Sequence, residues 1–252
     1  MRKELVVGKP KLWERHPLRL ACPGCHHATI ERVLCDVLED LGIEENTIGV
    51  SGVGCSVFIF NLIQLDAVMA AHGRCPDAAT GIKRIYHGRP IVFTIQGDGD
   101  CIAIGTESLI HSGARSEKIT VIMVNNGNYG TTGGQLAPTT VTGQVTTTTP
   151  EGRDPNRDGY PIHAAELVAQ IKGTVYSARG AVNTPANFQR TEKYVKTAFQ
   201  KQIDNVGFSF VEILSACPAG WRKTPLESLK WIEERMIPEF PLGEFKNIDR
   251  IE

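Results

Sequence analysis

The sequence predicts an α/β fold, a parallel sheet with helices on both faces, as a single domain over residues 1–252. Two observations lead there. Helical and strand-like segments alternate along the chain, and the strand-like ones are apolar from end to end. Strands without polar alternation are buried on both faces, and parallel sheets reach that state by crossing over through helices. A chain of 252 residues can bury a core of this kind.

The elements follow in order. Ile30, Val33, Leu34, Val37, Leu38 and Leu41 repeat at helical spacing, and Gly42 stands where helices commonly end. "TIGVS", 47–51, reads as a strand entering a loop with Gly52 and Gly54. "RPIVFTIQ", about 90–96, is a second strand, "CIAIGTESLIHSGAR" a helix, and "KITVIMVNN" a third strand over 118–125. Pro161 is placed to open a helix through "IHAAELVAQIKG". "TVYSAR", a long helix "TPANFQRTEKYVKTAFQKQIDN" and a strand "FSFVEILSAC" complete the pattern. Residues 127–160 show neither period. A loop so long in a compact domain is functional, interfacial or disordered, and its Thr and Gly content suits wrapping a ligand or a neighbouring subunit. The Pro- and aromatic-containing tail from Arg235 is expected to lie against a surface.

Composition narrows the function classes. The chain is 41% apolar and 22% charged with net charge −1, so it carries no nucleic-acid footprint. No apolar run reaches the roughly 20 residues of a membrane span. The basic N-terminus has too short an apolar run for a signal peptide, so a cytoplasmic location is expected. Seven cysteines, an odd count, argue against a disulfide framework. Cys35, Cys75 and Cys101 read as buried apolar groups.

The strand at 90–96 ends on Gly97-Asp98-Gly99-Asp100, and the next strand ends on Asn125-Asn126. Ligands of open parallel sheets sit at the carboxyl ends of strands. Neighbouring strands lie about 5 Å apart, so Asp98 and Asn126 can converge. A carboxylate, an amide oxygen and a backbone carbonyl suit Mg²⁺ shared with a diphosphate. Gly97 and Gly99 allow backbone N–H groups to approach phosphate oxygens. A GDG alone is more often a turn. Asn126 follows Asp98 by 28 residues in a βαβ context, and that pairing is specific.

"ACPGCHH" holds Cys22 and Cys25, while Cys55 and Cys217 each follow a strand on the edge that carries the GDG. Zinc, an iron–sulfur cluster and a redox pair are all readings of such a set, the last with the pair placed wrongly relative to any βαβ start for the thioredoxin pattern.

The GDG-to-NN pattern resembles the diphosphate-binding motif of thiamine diphosphate enzymes. "CPGCHH", "GVGCS", "AHGRCPDAATGIKR", "QGDGDCIAIGTES", "VNNGNYGTTGGQLAPTT" and "CPAGWRKTP", in this order, resemble the β subunit of 2-oxoacid:ferredoxin oxidoreductases, most closely its 2-oxoisovalerate and 2-oxoglutarate members. The resemblance implies a thiamine diphosphate-binding fold of the diphosphate type. It implies Mg²⁺ on Asp98, Asn126 and a main-chain carbonyl near Asn128, and a [4Fe–4S] cluster on Cys22, Cys25, Cys55 and Cys217. It places Asp100, Tyr129, Gly130, Thr131, Thr132 and Gln135 with Gly97 and Gly99 at the cofactor. Asp100 is read as contacting cofactor or capping the next helix. His27 and His72 match positions near the cofactor, and Arg74 is a candidate partner for substrate carboxylates or an anchor of its own loop. The implied reaction is oxidative decarboxylation of a 2-oxoacid to acyl-CoA and CO2, with coenzyme A as co-substrate and ferredoxin as acceptor. The implied partners are an α subunit carrying the aminopyrimidine half-site, and ferredoxin-like and γ subunits or domains. Relatives often read CPGCGH where this chain has His26, and some carry Lys where it has Gly133, both on the substrate side. A non-oxidative thiamine diphosphate decarboxylase and a zinc-stabilised scaffold subunit are the competing readings.

Overall fold

The computed structural model describes residues 8, 10–13, 21–61 and 63–251. His16 and most of the basic N-terminal stretch lie outside them. One seven-stranded sheet organises the chain, in the order β2-β1-β3-β4-β8-β7-β9. Its strands are β1 (Thr47–Ser51), β2 (Asp66–Met69), β3 (Ile91–Gly97), β4 (Thr120–Asn125), β7 (Thr174–Ala181), β8 (Phe208–Leu214) and β9 (Gly243–Asn247). All neighbours are parallel except β9, which runs antiparallel along β7. The tail therefore does more than lie on a surface, since it supplies an edge strand.

One face is covered by α1 (His27–Leu41) and α6 (Pro185–Ile203). Ile30, Leu34, Leu38 and Phe199 pack there on Phe93 and Ile95, with the Phe93 and Phe199 rings edge to face at 5.7 Å. The predicted stop at Gly42 is present, with φ +63° and its N–H on the last carbonyls of α1. The other face carries α2 (Cys75–Ile85), α3 (Thr106–Ala114) and α5 (Ala164–Ala169) over Val92, Val121, Met123 and Phe210. Cys35, Cys75 and Cys101 are buried in these cores as expected.

The structure corrects several expectations. α5 begins at Ala164, so Pro161 precedes the helix rather than opening it. The helix expected from Cys101 is split. Asp100–Ile104 forms a π-helical turn, and α3 starts only at Thr106. Residues 127–160 are folded. They include a hairpin of β5 (Asn128–Tyr129) with β6 (Gln135–Leu136), and a helical turn, α4 (Pro155–Asp158). Arg153, buried, donates to the carbonyls of Pro138, Thr140, Gly159 and Tyr160 and so closes this loop on itself. Behind β8 come α7 (Pro218–Trp221), α8 (Pro225–Trp231), a π-helical turn Ile232–Met236 and α9 (Ile237–Glu239). Trp221, Ile232, Met236 and Phe240 form a third core there with Val141.

Candidate functional site

Apart from the CPGCHH segment, which leads into α1, the candidate clusters follow the carboxyl ends of parallel strands. Gly52 to Cys55 follow β1, His72 follows β2, Asp98 to Asp100 follow β3, Asn126 to Asn128 follow β4, and Cys217 follows β8. Register aligns them, because Gly97 pairs with Val124 and Asn125 with Leu214.

Asp98 is 1% exposed. Its Oδ1 accepts the Gly99 N–H at 2.9 Å, and Oδ2 accepts the Thr139 hydroxyl from the long loop. Burial pushes its pKa up to about 7, against hydrogen bonds from Thr139, Gly99 and Gly127. A buried carboxylate held by neutral donors suits a cation. On the next strand end, Asn126 Oδ1 accepts the Asn128 N–H at 3.1 Å, and the Asn126 carbonyl accepts Trp221 Nε1–H at 2.9 Å.

Gly99 has a reason other than a tight turn. Gly99 has ordinary helical backbone, φ −64° and ψ −31°, so no left-handed conformation requires it. A Cβ there would stand 2.1 Å from the Tyr129 ring. The glycine lets the loop after β4 close on the turn after β3.

Asp100, though two residues from Asp98, is spent inside the protein. Its Oδ1 takes the Gly73 N–H at 2.7 Å and His72 Nδ1, and its Oδ2 takes Gln96 Nε2 at 2.6 Å. It does not cap the following helix. Gly52 makes room for it, since a Cβ would meet Oδ2 at 2.0 Å. His72 is thereby fixed through Nδ1 at the sheet edge. Arg74 turns away to α3, where it pairs with Glu107 and donates to Ser108 Oγ at 3.1 Å. Those contacts suit the loop-anchoring role.

Cys22, Cys25, Cys55 and Cys217 line one cavity of about 250 Å³, together with His27, Glu31, Asn126, Gly130 and Thr131. Two larger hollows, at Lys246 and Arg250 and at Lys83 and Arg89, contain none of these residues. The Cys217 and Cys55 sulfurs lie 3.2 and 3.6 Å from where a Cβ on Gly130 would stand. Thr131 Oγ1 is 2.9 Å from Cys55 Sγ. Burial pushes the Cys25 thiol up to about 12 and Cys217 up to about 11. Thiols so placed bind metal with proton release. The Asn128 amide, buried, has no conventional partner for Nδ2 or Oδ1. It stands against the Cys217 sulfur and holds back that thiol's rise. An amide donor and Cβ-free glycines around four thiols fit a cluster-sized group.

His27 is buried, with Nδ1 3.3 Å from Cys25 Sγ and Nε2 3.4 Å from Ser56 Oγ. Burial lowers its pKa to about 4, so the ring is neutral. His26 is equally buried and neutral, and its Nδ1 accepts the Ala216 N–H at 3.2 Å, which ties the CPGC segment to β8. Thr132 and Gln135 bond to each other, Oγ1 to Oε1 at 2.6 Å. Thr139, Trp221 and Glu31 were not legible as site residues. Thr139 and Trp221 fall within quoted family-like segments but nothing in their spacing singles them out, and Glu31 is brought in by the buried face of α1.

The profile described as "Thiamine pyrophosphate enzyme, C-terminal TPP binding domain" matches residues 52–213. The ketoisovalerate oxidoreductase subunit VorA of Methanothermobacter marburgensis is 39% identical over 226 residues, covering 90% of this chain and 47% of its own. The 2-oxoglutarate synthase subunit KorB of the same organism is 34% identical over 223 residues, covering 86% and 73%. The chain belongs to the β-type subunits of the 2-oxoacid:ferredoxin oxidoreductases. It spans about half the length of the VorA relatives it matches, 47%. A solved 2-oxoglutarate:ferredoxin oxidoreductase from Magnetococcus marinus, with 2-oxoglutarate, coenzyme A and succinyl-CoA bound, superposes with TM-score 0.77 at 23% identity. That match covers 97% of this chain and 87% of that one. At that identity the likeness speaks for the fold, the mostly parallel sheet of this β-type subunit. No helix among the described residues is long and apolar enough to cross a membrane.

Proposed function

We propose that this chain is the diphosphate- and cluster-holding subunit of an enzyme that oxidatively decarboxylates a 2-oxoacid to acyl-CoA and CO2. 2-Oxoisovalerate and 2-oxoglutarate are the favoured substrates, and ferredoxin takes the electrons. The observation that carries the reading is the shared cavity. Asn126, a candidate metal ligand of the diphosphate, lines the same space as Cys22, Cys25, Cys55 and Cys217. A redox centre there would stand beside the cofactor, where electrons leave the substrate.

Thiamine diphosphate would supply the carbon-centred chemistry. This chain's residues would hold its anchor. Asp98, Asn126 and a main-chain carbonyl near Asn128 would take Mg²⁺, and N–H groups after Gly97 would face phosphate. No group of three or more His, Cys, Asp and Glu side chains among the described residues is arranged to hold one metal ion. Cys22, Cys25, Cys55 and Cys217 line one cavity, and the family resemblance favours a [4Fe–4S] cluster on them over a single zinc. His27, neutral beside Cys25 and Ser56, would shape the cluster surroundings. His72, held by Asp100, would present its other nitrogen towards cofactor or partner. The half-site for the aminopyrimidine is assigned to an α subunit, and electrons would pass on through ferredoxin-like and γ subunits or domains.

Metal analysis of the purified complex tests this reading. Anaerobic preparations should contain iron and sulfide in equal amounts. Stoichiometric zinc without either would support the scaffold reading and overturn this one.

A further inference from the structure

Beneath the Asn125-Asn126 turn runs a buried chain of charges. Arg179 on β7 and Glu212 on β8 are both 0% exposed. Arg179 Nε donates to Glu212 Oε2 at 2.9 Å, and its two terminal nitrogens grip Glu166. Arg179 also donates to the Pro241 carbonyl at 3.0 Å, with the Phe240 and Phe245 rings 5.3 and 5.0 Å from its guanidinium carbon. Desolvation offsets most of the attraction in such a pair, so stability alone is a weak reason to bury it. What the other carboxylate oxygen holds is more informative. Glu212 Oε1 accepts Asn125 Nδ2–H at 2.7 Å. Asn125 Oδ1 in turn accepts the Gly127 N–H at 3.0 Å, an N–H that also faces Asp98. Gly127 has φ +62°, and its carbonyl takes Thr140 Oγ1 at 2.7 Å and Gln144 Nε2 at 3.2 Å. That turn carries Asn126 on one side and Asn128 on the other.

We propose that Glu212 is a positioning residue for the diphosphate–metal site. Fixed by Arg179 through one oxygen, it fixes the Asn125 amide through the other, and so sets the Gly127 turn that aims Asn126 and Asn128. Arg179 is in turn held by Phe240, Pro241 and Phe245, so the C-terminal tail becomes part of the support of the site. The inference rests on the thiamine diphosphate reading.

The polarity of the chain gives an isosteric test. In Glu212→Gln the side-chain oxygen still accepts from Arg179, and its NH2 then meets the Asn125 NH2. Either that contact breaks, or the Asn125 amide flips and loses the Gly127 N–H. Asn125→Asp sets two carboxylates face to face. The double variant, Glu212→Gln with Asn125→Asp, restores every donor to an acceptor and keeps one buried carboxylate. Calorimetric titration of the intact complex with thiamine diphosphate and Mg²⁺ reads the effect, with thermal unfolding in parallel. Each single variant should bind about tenfold more weakly or worse, and the double should return to within a few-fold of wild type. Asn125→Asp carries the test if Glu212→Gln does not fold. Wild-type affinity in a folded single variant, or no recovery in a folded double, overturns the proposal alone. A wild-type complex that binds no thiamine diphosphate overturns the functional reading, and this proposal with it.

Discussion

Asp98 and Asp100 look interchangeable in the sequence, and the fold gives them opposite tasks. Asp100 satisfies His72, Gly73 and Gln96, whereas Asp98 keeps a buried carboxyl that only neutral donors partner. Asp98→Ala should therefore abolish Mg²⁺-dependent thiamine diphosphate binding, and unchanged calorimetric affinity would refute its assignment. Glu31 offers a pH test at the same scale. It is 2% exposed, its Oε2 has no hydrogen-bond partner, and burial pushes its pKa from 4.5 up to about 8. The folded form holds a proton that the unfolded chain releases earlier. The stability it contributes is full below 4.5 and lost as pH rises to about 8. The slope in that window is at most about 1.4 kcal/mol per pH unit. Wild type should thus lose denaturant stability relative to Glu31→Gln as pH climbs towards 8, with the difference constant above it. Parallel curves would contradict the burial argument.

Among the elements, those with long apolar runs or clean periodicity were legible. The α1 face, the parallel strands β1, β3, β4, β7 and β8, and the long α6 fall close to where the pattern puts them. α2 escaped because its buried face is built from Cys75, Pro76, Ala79 and Thr80, too small and mixed to show a stripe. β2 escaped because all four residues are exposed at the sheet edge. The folded 127–160 loop escaped because Arg153 and buried threonines, not apolar periodicity, organise it. For the same reason Thr139 was not singled out within the family-like segment that contains it, although it bonds Asp98. Thr139→Val should keep the fold and weaken cofactor binding about fivefold to tenfold by calorimetry, the loss of one charge-assisted hydrogen bond. Gly99 tests the contact between elements. Gly99→Ala should cost about 1–3 kcal/mol in chemical denaturation by overpacking against Tyr129. Adding Tyr129→Ala should make the alanine at 99 nearly neutral, and an equal penalty in both backgrounds would show that the ring is not the obstacle.

At the scale of the whole molecule, one sheet edge collects loops from five strands, and the residues proposed for the diphosphate and for the cluster meet there. The diphosphate half needs hard oxygens and N–H groups, and the other half offers four thiols. The strand order explains why they meet, since β1, β3, β4 and β8 are consecutive in the sheet while dispersed in the chain. CxxC spacing singles out Cys22 and Cys25, strand ends and the family resemblance add Cys55 and Cys217, and the folded sheet brings all four to one cavity. On the proposed function, substrate oxidation at the diphosphate site delivers electrons to a cluster on these cysteines. It is tested most directly by adding 2-oxoisovalerate or 2-oxoglutarate anaerobically to the intact complex, with absorbance and CO2 followed together. Iron–sulfur absorbance should bleach as CO2 is released, and Cys55→Ala or Cys217→Ala should remove the bleaching. Release of CO2 with no change in that absorbance would contradict it and favour a non-oxidative decarboxylase.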